Sequence, residues 1–246
     1  MYVRRRDVLT GLGTLALLLA HRWSKSAPSA NLPKEVAGVN IPQTPLALGA
    51  ATYARSNCPD FLFNHSARTF IFGALVLEKQ QKRAYRAEDA FVAAAFHDIG
   101  LLPSFETPKN SFELDGANAV EQWLLKQGGS KAQAERAWYA VELHTGEWAL
   151  PLRQGPEAML IFLGASADVD GPDPGDLDEK QIAEVLAAFP RLGFKHRFTD
   201  LLVRHCERKP LSQEGTWLES MCRAHSAHPP PVDRVEKVIA RAPFSE

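Results

Sequence analysis

His97 and Asp98 interrupt the apolar run AAFHDIGLL at residues 94–102. A carboxylate buried there without a partner costs several kcal/mol, so Asp98 needs a cation, several hydrogen-bond donors or a proton. Consecutive helical residues point about 100° apart, which lets both side chains lean toward one point across a bundle core. A divalent metal at that point would supply the missing charge, and imidazole with carboxylate suits Zn, Fe, Mn or Co. The other reading has Asp98 capping the loop that follows or pairing with an arginine such as Arg68. Two further histidines, His65 and His144, lie in helical, partly apolar segments. In ASADVDGP, Asp168 keeps helical register one turn after Gly164 and is the better ligand candidate, whereas Asp170 with Gly171 reads as turn chemistry.

Helices must carry these residues. Apolar positions recur at three- and four-residue steps through 45–57, 59–81, 87–102, 112–128, 130–146 and 156–171, with later helices expected at 176–189, 194–208, 214–225 and 232–241. The 87–102 segment is alanine-rich, apolar nearly all round and stopped by Pro103, the pattern of a central helix. Ser130 reads as an N-cap and Gly128-Gly129 as a C-terminal stop. No stretch alternates with period two, so the expected fold is all-α, a single helical bundle over 45–243 with a central metal site and no sheet.

The ends are of different material. Arg4, Arg5 and Arg6 precede a short apolar stretch from Val8 to Ala20, the layout of an export signal over residues 1–30. RRDVL resembles the twin-arginine motif, which predicts export to the periplasm, with contact to the membrane only through this signal. Segment 31–44 has two prolines and no period and reads as a linker. Residues 1–30 hold five of the 28 basic residues and one of the 29 acidic ones, so the remainder is net acidic. An acidic domain without a basic stripe argues against nucleic acid as a partner and leaves a small-molecule substrate. Of the three cysteines, Cys206 and Cys222 could bridge adjacent helices in an oxidising compartment, or stay as buried thiols.

The order His65, His97-Asp98, Asp168 resembles the H…HD…D pattern of the HD-domain metalloproteins, an all-helical superfamily dominated by metal-dependent phosphohydrolases. NHSARTFIFG, AAAFHDIGL, SFELDGANAV, WYAVELHTG, GASADVDG and the terminal RVEKVIARAPF are similar to the cyanamide-hydratase-like branch, over about residues 45–243. The resemblance implies His65, His97, Asp98 and Asp168 as ligands of one divalent transition metal, zinc first and iron or manganese next, with His144 beside it. Two-metal members draw extra histidines from between the HD pair and the last aspartate, and here His144 is the only one. Four protein ligands would leave room for water only if coordination exceeds four or Asp168 binds loosely.

A metal-activated water adding to a nitrile or related C–N carbon is then the expected chemistry, with His144 shuttling protons and Thr145 offering a hydroxyl. The alternatives are a phosphohydrolase acting on a nucleotide or phosphate ester, and a non-catalytic metal-binding module. A phosphohydrolase would call on Arg68 for the anion, although a salt bridge from Arg68 to Asp98 or Glu142 fits its position equally. His144 and Thr145 could also be no more than a helix C-terminus. Asp115 reads as an N-cap, and Phe112 and Trp138 as core.

Overall fold

The computed structural model describes residues 32–81, 83–210, 212–225 and 241. The export signal and the helix expected at 232–241 therefore lie outside the described residues, apart from Arg241.

Ten α-helices account for most of the described chain. Helix α1 (Pro45–Asn57) starts where the Thr44 hydroxyl accepts from Ala47 N and Pro45 takes the first position, and it buries Ala47, Ala50, Ala51 and Ala54 along one face. Helix α2 (Asp60–Gln81) spans the core, and α3 (Ala87–Phe96) lies across it with eight of its ten residues buried, as a central helix must. Ser111 caps α4 (Phe112–Lys126), so Asp115 is not the cap the sequence suggests. Instead Asp115 is buried and accepts from Thr107, Asn110 and Lys209 Nζ, tying the 103–111 loop to the far end of the chain. A reciprocal Ser130–Gln133 box opens α5 (Lys131–Glu142), followed by α6 (Ala149–Gln154), α7 (Pro156–Val169), α8 (Glu179–Ala188), α9 (Phe194–Arg208) and α10 (Glu219–His225).

The largest helix–helix interface joins α2 to α7. It is close because Gly73 faces the Leu160 carbonyl and Gly164 faces the Thr69 carbonyl; a methyl group at either would collide with the opposing backbone. That approach brings His65, near the start of α2, level with Asp168, near the end of α7. The Cys206–Cys222 disulfide joins α9 to α10.

The structure also differs from the sequence reading in several element boundaries. The helix expected over 87–102 ends at Phe96 and continues as a 3-10 turn, Ile99–Leu101. The helix expected over 130–146 ends at Glu142, leaving His144 and Thr145 on the turns beyond. Residues 212–218 are turns, so the last described helix is only α10. Segment 31–44 holds a two-stranded hairpin, β1 (Glu35–Val36) and β2 (Val39–Asn40), whose Val36 and Val39 are buried with Leu32 and Ile41.

Candidate metal centre

His97 closes α3 with helical backbone angles, and Asp98 leaves it at φ −105°, ψ 5°. This break, rather than a helical 100° step, aims the pair. Gly100 fixes it: a side chain there would strike the Phe112 carbonyl, so only glycine lets the 3-10 turn rest on α4.

Three donor atoms converge from two elements. His65 Nε2 lies 3.1 Å from His97 Nε2 and 3.2 Å from Asp98 Oδ2, and His97 Nε2 lies 3.3 Å from the same oxygen. All three residues are at most 3% exposed. Each ring is oriented from behind. His97 Nδ1 donates to the Ala94 carbonyl at 2.8 Å, and His65 Nδ1 donates to Asp168 Oδ2 at 2.7 Å. Each Nε2 therefore faces the shared point. Two such nitrogens at this distance cannot both carry protons. Burial pushes His97 below its ordinary value; burial opposes the charge on His65 too, but the Asp168 and Asp98 carboxylates hold it above. Asp98 is also penalised by burial, yet His97, His144 and His65 keep its carboxyl well below the usual range. Its Oδ2 has no hydrogen-bond partner among the described residues.

Asp168 does not join this group. Its Oδ1 accepts from Arg68 Nε and Arg191 Nη1, both at 2.8 Å, and its Oδ2 from Arg68 Nη2 and His65 Nδ1, both at 2.7 Å. It thus stands behind His65 as the group that orients the ring. Burial disfavours its charge, but His65 and the Arg68 fork hold its carboxyl below the ordinary range. Arg68 is fully buried, and its remaining Nη1 donates to the Phe189 and Pro190 carbonyls. The structure therefore gives Arg68 neither an anion-binding position nor Asp98 or Glu142 as partner; Asp168 takes it.

His144 approaches from the other side. Its Nδ1 donates to the Val141 carbonyl at 2.5 Å and its Nε2 lies 3.5 Å from Asp98 Oδ1. Burial works against its proton, but Asp98 holds the ring above its ordinary value. Thr145 donates to Glu113 Oε1 at 2.6 Å. The three converging donors, His144 and Thr145 all border one cavity of about 240 Å³, below the roughly 300–1,000 Å³ that takes drug-sized ligands. Four aromatic residues, Phe112, Phe162, Phe198 and Trp217, make up part of the remaining wall, which also includes Ser166 and Asp170. Phe112 therefore serves both core and cavity, whereas Trp138 packs on the core and donates to Asn118.

Sequence reasoning missed several of these contributions. Asp170 ends α7 as the turn residue expected, but it also lines the cavity. Glu113 and Arg191 gave no signal, because nothing in their local pattern names a partner 32 or 23 residues away.

The residues present fit a divalent cation. Two imidazole nitrogens and an orphaned carboxylate oxygen lie within 4.8 Å of one another, a mixed N/O set suited to zinc, iron or manganese. No match to the chain was found among curated proteins. The family model of the HD domain matches residues 62–187, a span that begins just before His65, takes in His97-Asp98 and ends after Asp168. More than half of the chain lies in that match, and with an all-helical fold around the paired histidine and aspartate, the chain belongs to the HD-domain family.

Proposed function

We propose that this protein is a metal-dependent hydrolase or hydro-lyase acting on a small C–N substrate such as a nitrile, in the manner of the cyanamide-hydratase-like branch. The observation that carries the reading is the convergence of His65 Nε2, His97 Nε2 and Asp98 Oδ2 at the wall of a small cavity bordered, among the described residues, by neither lysine nor arginine. These three residues would hold one divalent ion, zinc first and iron or manganese next, which when bound supplies Lewis acidity and a water acidified toward neutrality. Three protein ligands is the number usual for catalytic zinc, whereas structural sites use four. Asp168 supports the set from behind, as a carboxylate oriented on a ligating histidine does. His144 borders the cavity with its Nε2 3.5 Å from Asp98 Oδ1, where the ring would pass a proton to a nitrogen that gains charge. Phe112, Phe162, Phe198 and Trp217 make part of the cavity wall apolar.

A phosphoester substrate would need cationic help, and the two arginines nearest the donors, Arg68 and Arg191, are both turned onto Asp168. Export to the periplasm by the twin-arginine route belongs to the same proposal, and the Cys206–Cys222 disulfide supports it, since such bonds persist in oxidising compartments. Turnover assays of the metal-loaded protein against a panel of nitriles and phosphate esters test the reading. Hydration of a small nitrile that is lost in His144→Ala supports it; turnover of phosphate esters alone contradicts it.

A further inference from the structure

Thr145 and Asp170 border the cavity away from the metal corner and have no part in holding an ion. Thr145 has one hydroxyl proton, and it is fixed on Glu113 Oε1 at 2.6 Å. Glu113 is 3% exposed, and its Oε2 has no hydrogen-bond partner among the described residues. The Thr145 oxygen therefore shows the cavity lone pairs only. Asp170 closes α7 at the rim, and its side chain makes no hydrogen bond or ion pair among the described residues. On its outer side it borders a groove shared with Arg191 and Lys195; Arg191 is held by Asp168, and Lys195 is exposed. Thr145 and Asp170 thus accept hydrogen bonds, Ser166 beside them brings a hydroxyl that can donate or accept, and Phe198 and Trp217 add aromatic rings of the kind that attract cations.

We propose that the cavity selects a small organic molecule bearing N–H groups and a positive charge, an amidinium or a primary ammonium, read by Thr145 Oγ1 and the Asp170 carboxylate. This rests on the proposed C–N chemistry for what happens to the ligand, but not for its recognition. An N–H of the ligand meets the Thr145 oxygen in the half-buried part of the cavity, and the charge is met at the exposed rim.

Acetamidinium, acetamide and acetone share one shape and differ in charge and N–H groups, so their dissociation constants by isothermal titration test the proposal on the purified full chain. The expected order is acetamidinium tightest, then acetamide, then acetone. Asp170→Asn should weaken acetamidinium about two- to fivefold, as an exposed charge pair allows, and leave acetamide unchanged. Thr145→Val should weaken both N–H ligands about fivefold and leave acetone unchanged. Equal affinities, no measurable acetamidinium binding, or an Asp170→Asn protein that binds acetamidinium as the parent does would overturn it. The titrations are repeated after chelation. A ranking that persists in protein shown to bind no metal contradicts the metal reading and leaves this one standing; a lost ranking in metal-loaded protein does the reverse.

Discussion

His65 and Asp168 meet back to front: His65 Nδ1 donates to Asp168 Oδ2 at 2.7 Å, and the ring's other nitrogen faces His97 and Asp98. The carboxylate expected as a fourth ligand acts one layer out, fixing tautomer and ring orientation. Asp168→Asn should therefore weaken metal binding about 10–100-fold without abolishing it, the usual effect of losing such support. Competition with a chromophoric chelator measures this, and complete loss of binding in a folded Asp168→Asn protein would make Asp168 a direct ligand after all.

Arg68 donates through all three of its guanidinium nitrogens from a fully buried position. Arg68→Ala leaves Asp168 with Arg191 and His65 only, and breaking a buried pair from one side costs about 3–5 kcal/mol. Urea unfolding should show that loss, and Arg68→Lys should not restore it, because one ammonium cannot reproduce the fork. A change under about 1 kcal/mol in Arg68→Ala would contradict the role given to this pair.

The helices and the His97-Asp98 pair were legible in the sequence because helical period and two adjacent ionisable residues are local signals, whereas His65 joined them only through the resemblance to the H…HD…D pattern. The division of labour among carboxylates was not, since whether Asp168 faces an ion or an arginine depends on how α2 crosses α7. The break after Phe96 depends likewise on Gly100 meeting α4. The hairpin at 35–40 was hidden for another reason. Its two-residue turn places Ala37 as well as Gly38 at positive φ, where alanine is an unexpected choice.

Gly164 lets α7 touch the Thr69 carbonyl. Gly164→Ala forces the helices apart and should cost about 1–3 kcal/mol, read as a lowered unfolding midpoint. A variant as stable as the parent would mean that the crossing is looser than the structure shows.

Glu142 gives a pH signature. Burial, with Glu113 nearby, pushes its carboxyl up to about 7, although His144 opposes the shift. The folded protein therefore binds this proton more tightly than the unfolded chain, and the group lowers stability as pH rises from about 4.5 to 7. Glu142→Gln should match the parent near pH 4.5, be more stable above pH 7, and show a flatter slope between, by thermal melts across that window. Identical slopes would remove Glu142 as the source.

The Cys206–Cys222 bridge closes a loop of 16 residues and should contribute on the order of 3 kcal/mol. Cys206→Ser with Cys222→Ser should lower the urea midpoint accordingly. A chain whose three thiols all react with a thiol reagent under native, non-reducing conditions would show that the bridge does not form.

The central claim is that His65, His97 and Asp98 hold one divalent ion. Elemental analysis of the purified protein beside His97→Ala and Asp98→Ala, each checked for helical content, addresses it directly. The account predicts close to one equivalent of zinc, iron or manganese in the parent and near none in either variant. Full occupancy in both variants would contradict it.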